Sequence, residues 1–171
     1  IMFSVKGKNF GKSIAQDIRV YANLFATRVG NPWLEIPKWQ RQVCDHPKIT
    51  MVRPGIPFFQ GFDKFPDETY EWGTGTEISR DEVLRESSYY SDDPLRRRFI
   101  NRLYLVGCVD YRFSFGKERH QTRFVYDITR IPTPEIKDYM GRPIMEFEVG
   151  TAVPKDKISI LPSIEGHNTA N

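Results

Sequence analysis

The tripeptide Gly11-Lys12-Ser13 is the first feature of the sequence that suggests chemistry, because Gly-Lys-Ser ends the phosphate-binding loop of many nucleotide-binding proteins. In that loop four residues separate two glycines, and a helix follows whose amino-terminal amides face the phosphate. Here only three residues separate Gly7 from Gly11, and the residues that follow alternate in polarity as in a strand. We therefore expect Asn9, Gly11 and Ser13 to form a turn between two strands.

A metal site is suggested by Cys44, Asp45 and His46, three consecutive residues whose side chains can all bind metal ions. Structural zinc sites use four ligands, most often as two pairs that are each close in sequence. The remaining histidines, His120 and His167, stand alone and supply no second pair. The sequence therefore predicts no metal site and no cofactor.

A nucleophilic triad could be assembled from Cys108, Asp110 and His120, since alternate residues of a strand lie on one face of a sheet. Acyl transfer also needs oxyanion donors and an enclosed pocket, which side chains on an open sheet face lack. We interpret His120 as a solvated residue of a charged hairpin loop. No catalytic residue is predicted, and we expect that the chain is not an enzyme.

The two cysteines, Cys44 and Cys108, are too few for a disulfide framework. One bridge and two free thiols are both compatible with the sequence, so the cysteine content leaves the redox compartment open. We interpret Cys44 as a loop residue and Cys108 as a residue in the middle of a strand.

A basic segment, DDPLRRRFINR from residue 92, offers a different kind of site, because guanidinium groups bind phosphate and nearby aromatic rings can stack on bases. Asp92 and Asp93 precede the arginines and would repel a polyanion. A solvated basic turn is the favoured interpretation, with lipid head groups or a protein partner as alternatives and nucleic acid disfavoured. The candidate anion contacts are Arg96, Arg97, Arg98 and Arg102.

Charge is distributed unevenly, although the whole chain has a net charge of only +3. Residues 63–93 hold ten acidic and three basic residues, a net charge of −7, whereas residues 96–130 hold nine basic and three acidic residues, a net charge of +6. Such segregation can steer a charged partner or seat a domain on an anionic surface. The simpler interpretation is that two neighbouring solvated faces neutralise each other.

Alternating apolar and polar residues predict strands along much of the chain. The clearest is a hairpin in which residues 103–113 and 124–128 alternate, with FGKERH at 115–120 as its loop. Residues 13–25 alternate in the same way, except at Gln16. Shorter strands are expected at residues 145–149 and 157–161.

One short helix is predicted from about Arg80, because Ser79 and Glu82 form a capping box, and the turn-rich stretch GNPWLEIPKW at 30–39 is interpreted as a loop. The 171 residues suffice for one domain with its own core. Six to eight short strands without alternating helices predict an all-β fold, an antiparallel immunoglobulin-like sandwich with one short helix and long loops. This single domain is expected to span residues 1–160, followed by a polar tail at 161–171.

Several segments resemble those of a large group of uncharacterised bacterial proteins. NFGKSIAQDIRV, at residues 9–20, is similar to their Asn-x-Gly-x-Thr-Pro-Ala strand, with Ser13 in place of the threonine and Ile14 in place of the proline. VRPG at 52–55 resembles their Pro-Gly turn, and ISRDEVLRE at 78–86 resembles their polar helix. Their Gly-x-x-x-Tyr-x-x-x-Phe-Gly hairpin is matched by Gly107, Tyr111, Phe115, Gly116, His120 and Thr122.

The resemblance implies a carboxy-terminal immunoglobulin-like domain behind one or two amino-terminal membrane helices, and the group has no established activity to carry over. The chain opens on the strand-like IMFSVKG, so we expect it to be part of a longer protein, and the resemblance implies that this protein is bacterial and membrane-tethered. It has no apolar run of the roughly 18 residues that crossing a bilayer requires. The leading hypothesis is a non-enzymatic binding domain that is membrane-associated, on an undefined side of the membrane, and has a protein partner.

A second hypothesis is an accessory subunit that docks on a larger membrane complex through exposed loop aromatics, because apolar loop residues often mark partner surfaces. The alternative is that these aromatics cap the open ends of the sandwich. The candidate partner contacts are Trp33, Trp39, Phe58, Phe59, Phe62, Phe65 and Trp72. A third hypothesis is an anion or nucleic-acid binder that uses the basic segment, and an anionic membrane surface is a further candidate partner.

Overall fold

The structure is a computed structural model, and it describes eight parts of the chain. They are residues 2–27, 32–45, 62–75, 78, 80–89, 97–100, 102–132 and 146–163. Within them the chain is mostly antiparallel β-sheet with two α-helices, which confirms the predicted all-β fold class. Neither helix of these parts is long and apolar enough to span a membrane.

Every pairing between the described strands is antiparallel. In chain order the elements are β1 (Met2–Lys8), β2 (Ala15–Thr27), α1 (Pro32–Cys44), β3 (Phe62–Lys64), β4 (Thr69–Gly75), α2 (Arg80–Glu86), β5 (Ser88–Tyr89), β6 (Arg98–Ile100), β7 (Arg102–Phe113), β8 (Arg119–Arg130), β9 (Phe147–Glu148), a single 3-10 turn (Lys155–Lys157) and β10 (Ile158–Pro162).

Three long strands form the centre of a five-stranded antiparallel sheet in the order β10-β8-β7-β2-β3. β7 and β8 are the predicted hairpin, with Leu103 opposite Ile128 at one end and Arg112 opposite Arg119 at the other. β2 pairs along the other edge of β7, and β10 pairs with the half of β8 that lies farther from the hairpin loop. Two smaller sheets, β1-β4 and β5-β6-β9, complete the described strands.

A β-bulge in β2 explains why Gln16 breaks the predicted alternation. The register against β7 shifts between Gln16 and Arg19, and Asp17 within the bulge has a φ of 50°, in the left-handed region. The bulge changes which residues face the core, so Ala15 is buried with Ile18 whereas Ile14 is only half-buried. The alternation over residues 13–25 would place Ile14 in the core with Ile18, and the bulge places Ala15 there instead.

Each face of the five-stranded sheet is covered by a different layer. Helix α1 lies on one face, where its apolar residues join a buried cluster with β2, β7 and β8: Phe25, Ile36, Val43, Cys44, Tyr104, Val106, Cys108 and Val125. The β5-β6-β9 sheet lies on the other face, where the buried cluster is Leu24, Ala26, Ile100, Leu103, Leu105, Ile128 and Phe147. β7 is consequently buried at every position from residue 103 to residue 108.

The segment interpreted as a loop around residues 30–39 is instead largely helix α1. Pro32 occupies the first helical position, where the missing amide proton costs nothing, and Glu35 lies in the first turn. Ile36 and Val43 recur at helical spacing and are both buried against the sheet. The prediction was wrong because it rested on the turn-forming residue types of this stretch, whereas packing of the apolar face compensates for the hydrogen bond that Pro37 cannot donate.

Cys44, interpreted as a loop residue, ends helix α1 and forms a disulfide with Cys108 in the middle of β7. The Cα atoms of the two residues are 5.8 Å apart, and both side chains are buried. The alternative of two free thiols is therefore excluded. The disulfide attaches the end of α1 to the central strand of the sheet.

Other local predictions have mixed outcomes. The short helix predicted from Arg80 is present as α2, and KISIL forms most of β10. β10 continues to Pro162, beyond residue 160, where the polar tail was expected to begin. Of the strand predicted at 145–149, Phe147 and Glu148 form β9, and residue 145 lies outside the described residues. VRPG at 52–55 lies outside the described residues.

Removing the disulfide should destabilise the domain substantially. The two cysteines are 64 residues apart, and closing a loop of that size stabilises a folded protein by about 4 kcal/mol in the chain-entropy account. We expect denaturant unfolding of the variant C44A/C108A to show a loss in the range of about 2–5 kcal/mol. Wild-type protein treated with reductant should approach the variant, and an unchanged unfolding midpoint on reduction would contradict this account.

Gly107 should tolerate no side chain. A Cβ at this position would overlap both the backbone oxygen of Tyr21 on β2 and the ring of Phe124 on β8. We expect Gly107→Ala to lower the free energy of unfolding by about 1–3 kcal/mol, because neighbouring strand backbone cannot move aside. Gly116→Ala is the matched control: its nearest neighbour would be the Glu118 amide nitrogen at 4.0 Å, so its stability should be close to that of the wild type.

Candidate functional site

The Gly11-Lys12-Ser13 tripeptide lies in the turn between β1 and β2, as predicted. Asn9 organises this turn: its Oδ1 accepts from the Gly11 amide at 2.9 Å, and its Nδ2 donates to the Ser13 carbonyl at 2.8 Å. Strand β2 begins at Ala15, so the turn is followed by a strand and not by the helix that a phosphate-binding loop precedes. The geometry is that of an Asn-stabilised loop and not of a phosphate-binding loop.

Three loops meet at the end of the five-stranded sheet where the β7–β8 hairpin turns. They are residues 9–14, 65–68 and 114–118, which we call the loop end. The Asn9 amide donates to the Glu68 carbonyl at 3.1 Å and the Asp67 amide donates to the Asn9 carbonyl at 2.8 Å. The Ser114 amide donates to the Ile14 carbonyl at 3.2 Å. Backbone hydrogen bonds therefore join each loop to the next.

Each of these loops exposes one phenylalanine. The side chains of Phe10 and Phe115 are 83% exposed and that of Phe65 is 57% exposed. A ring that is exposed to this extent contributes little to the core, and a large aromatic side chain is costly to leave in water. We call these three residues the phenylalanine tip.

Lysines surround the phenylalanine tip. Lys8 lies over the ring of Phe10, 5.1 Å from its centroid, and also pairs with Asp67 at 2.9 Å. Lys12 and Lys117 each follow a Phe-Gly pair and are exposed. Within the described parts of the chain, no carboxylate lies within ion-pair distance of Lys12 or Lys117. The ammonium groups of these two residues are thus available to an external anion.

A charged cluster on β2, β7 and β8 lies directly behind the loop end. Arg19 donates to both carboxylate oxygens of Asp17, at 3.0 and 3.1 Å, and Arg119 donates at 2.8 Å. Arg112 approaches the same carboxylate at 3.6 Å, and the Asp17 amide donates to the carboxylate of Asp63 at 2.9 Å. The carboxylate of Asp17 therefore holds the bulge of β2 against the ends of β7 and β8.

The pKa of Asp17 lies below its ordinary value of 3.8. Burial alone would raise that pKa, but hydrogen bonds from Arg119 and Arg19, together with the positive charge of both guanidinium groups, outweigh burial and lower it. The charged cluster therefore neutralises a structural carboxylate, since Arg19, Arg112 and Arg119 all lie within ion-pair distance of Asp17.

The residues of the suggested nucleophilic triad are not arranged for catalysis. The sulfur of Cys108 is held in the disulfide. Asp110 accepts a hydrogen bond from Gln121 at 2.9 Å, on the sheet face that carries the charged cluster. His120 lies on the opposite face, where its ring is 4.9 Å from that of Phe113 and 5.7 Å from that of Tyr111. These three residues cannot form a Cys-His-Asp relay.

The suggested metal ligands are likewise separated. Cys44 is in the disulfide, Asp45 accepts a hydrogen bond from Arg123, and His46 lies outside the described residues. Over the parts of the chain that the structure describes, no group of three His, Cys, Asp or Glu side chains could hold a metal ion.

Two of the predicted aromatic contacts have described side chains, and they have different environments. Phe65 is exposed at the loop end, as a partner contact requires. Trp39 stacks on Phe25 with ring centroids 4.8 Å apart and packs against the core cluster under α1. Trp33, Phe62 and Trp72 fall within α1, β3 and β4, and Phe58 and Phe59 lie outside the described residues.

The arginines of the basic segment contact other parts of the protein. Arg98 donates to the Tyr89 hydroxyl at 2.6 Å and to the Leu84 carbonyl at 3.4 Å. Arg102 pairs with Asp127 at 3.3 Å, and the guanidinium of Arg97 lies 5.6 Å from the centroid of the Phe99 ring. Arg96 lies outside the described residues. In this part of the fold the described arginines join neighbouring strands and loops.

Sequence reasoning missed Phe10 and Phe115, although the sequence carries a signal for both. The tripeptide Phe-Gly-Lys occurs twice, at residues 10–12 and 115–117, each time within a predicted turn. An aromatic residue in a turn has no strand face on which to pack, so its repetition indicated exposed rings.

Comparisons with known proteins add no assignment for this site. The chain matches no protein-family model, no curated protein and no solved structure.

Replacing Asp17 by Asn should isolate the effect of its charge, because Asn also tolerates the left-handed φ of the bulge. A lowered native pKa means that the ionised carboxylate stabilises the fold fully above about pH 4, and that this contribution is lost as the pH falls through the native pKa. At neutral pH we expect Asp17→Asn to lower the free energy of unfolding by about 1 kcal/mol.

This difference between wild type and Asp17→Asn should shrink when urea unfolding is repeated near pH 3. Glu118→Gln, which removes an exposed carboxylate from the neighbouring loop, is the control and should leave the pH dependence unchanged. A difference that stays constant on acidification would show that the charge of Asp17 is not what stabilises the bulge.

Proposed function

We propose that this chain is a non-enzymatic binding domain whose contact surface is the phenylalanine tip. The observation that carries the proposal is the exposure of Phe10, Phe65 and Phe115 on three loops at one end of the sheet. Binding residues are often placed on loops that a rigid scaffold positions, and clustered exposed apolar groups mark interaction sites.

The hydrogen bonds of the loop end favour binding by lowering its entropic cost. Asn9 joins its own loop to the end of β3 and the loop after it, since it bonds Glu68 and Asp67 through its backbone and the Lys64 carbonyl through Nδ2 at 3.1 Å. Loops that are already ordered lose little conformational freedom when a partner binds. Exposed rings that are already held in place suit a binding surface. The same rings do not stabilise the core, because they lie outside it.

Within the all-β class, we propose an immunoglobulin-like sandwich as the specific architecture of this domain. The arrangement of two antiparallel sheets supports it, because β5-β6-β9 packs across the apolar face of the five-stranded sheet through Ile100 and Phe147. Helix α1 on the opposite face would be an addition to that plan. The proposed setting, a membrane-tethered bacterial protein, is supported by the resemblance of residues 9–20 and of the β7–β8 hairpin to the group of bacterial proteins described above.

The proposal can be tested with a photoreactive benzoylphenylalanine placed at position 115 of the full-length protein in living cells. Position 161 is the matched control, because Leu161 is 60% exposed on β10, which pairs with the far half of β8. We expect cross-linked products, with either a protein or a lipid, from position 115 and none from position 161. Equal cross-linking from both positions, or none from position 115, would contradict a binding role for the tip.

A further inference from the structure

Two of the three loops of the phenylalanine tip carry the same tripeptide, Phe-Gly-Lys. In each, an exposed ring is followed after one glycine by an exposed lysine: Phe10 by Lys12 and Phe115 by Lys117. A ring and an ammonium group on one short turn can contact an apolar phase and an anion at the same time, because the long stem of lysine extends past the apolar boundary. Each loop thus has an apolar and a cationic contact side by side.

The acidic residues near the tip are largely engaged within the protein. Asp67 pairs with Lys8 at 2.9 Å, and Glu68 accepts from the Phe65 amide at 3.0 Å and lies 3.9 Å from Lys64. Glu118 is exposed beside Lys117. Four lysines lie at or beside the loop end (Lys8, Lys12, Lys64 and Lys117) against three acidic residues (Asp67, Glu68 and Glu118), an excess of one positive charge. With so small a net charge, apolar contact must dominate any binding at this surface.

The backbone of the loop end is suited to an environment poor in water. The Gly11 amide is bonded to Asn9 Oδ1 at 2.9 Å, the Gly116 amide to the Phe113 carbonyl at 3.1 Å, and the Phe65 amide to Glu68. Unpaired amides and carbonyls are costly to transfer out of water, so a loop whose polar groups bond internally can approach an apolar phase at lower cost.

We propose that the phenylalanine tip inserts into the interfacial region of a lipid bilayer, with Lys12 and Lys117 at the phosphates of the head groups. The inference rests on the proposed binding function of the tip and names its partner. Interfacial protein segments bind membranes in this way: their apolar side chains are buried at the head-group boundary, and their basic side chains contact anionic lipid.

The shape of the tip favours a bilayer over a protein partner. Phe10 and Phe115 are each 83% exposed and project from separate loops, so each ring can be surrounded by a fluid phase on nearly all sides. A protein partner would need a matching pocket for each ring at fixed spacing, with high shape complementarity between the two surfaces. The bilayer has no such requirement, since acyl chains and head groups rearrange around a protruding side chain.

The test is flotation of the 171-residue chain with vesicles of phosphatidylcholine and with vesicles that also contain phosphatidylserine. We expect the chain to bind both, and the variant F10S/F115S to bind about a hundredfold less tightly, since burial of each ring is worth about tenfold in affinity. The matched control, I160S/L161S, removes two exposed apolar side chains from β10 and should bind as the wild type does.

A second variant tests the lysines. K12A/K117A should weaken binding to the phosphatidylserine vesicles by several-fold and binding to phosphatidylcholine alone by less, because anionic lipid attracts each nearby basic side chain. An equal effect on the two compositions would overturn the assigned contact with the head groups. Circular dichroism and thermal unfolding should show each variant folded as the wild type is, since the substituted side chains lie outside the core.

The outcomes separate this inference from the proposed function. If the chain binds neither vesicle composition while position 115 cross-links to a protein, the lipid assignment is overturned and the binding function stands. If it binds neither and position 115 gives no cross-link, both are overturned. Vesicle binding that F10S/F115S and I160S/L161S weaken equally would also overturn the assignment, because the tip would then not be the surface that inserts.

Discussion

Burial of β7 on both of its faces is the constraint on which the rest of the structure depends. From residue 103 to residue 108 the strand is enclosed between α1 and the β5-β6-β9 sheet, with β2 and β8 hydrogen-bonded along its edges. Gly107 marks the tightest point, where even a methyl group would meet a neighbouring strand. Beyond residue 108 the covering layers end, and the sheet continues into half-buried positions and then into the exposed loop end.

The charged cluster of β2, β7 and β8 lies between the buried core and the loop end. Arginines of β2, β7 and β8 converge on Asp17, and Gln121 links Asp110 to the Cys44 carbonyl at the end of α1. The ion pairs of Asp17 and Asp110 lie on one face of the sheet, next to the half of that face that α1 covers. This polar network occupies the half of the face that no further layer covers, and the exposed phenylalanines lie beyond it at the loop end.

Local patterns predicted the elements whose residues alternate with a period of two, and tertiary contacts decided the rest. The β7–β8 hairpin, most of β2, α2 and β10 follow from short-range alternation and capping. Helix α1 was missed because Pro32 and Pro37 resemble loop residues until the sheet that packs against Ile36 is known. The disulfide could not be chosen over free thiols because Cys44 and Cys108 meet only in the folded chain. Of the tip, only Phe65 was predicted.

The disulfide has a topological consequence for the integrity of the domain. It closes a covalent ring that contains the chain from Cys44 to Cys108, including β3, β4, α2, β5 and β6. A protease that cut the backbone once inside this ring would leave both fragments linked through the two sulfurs. β2 and α1 would remain attached to β7 and β8, so one cleavage in the ring would nick the domain without dividing it.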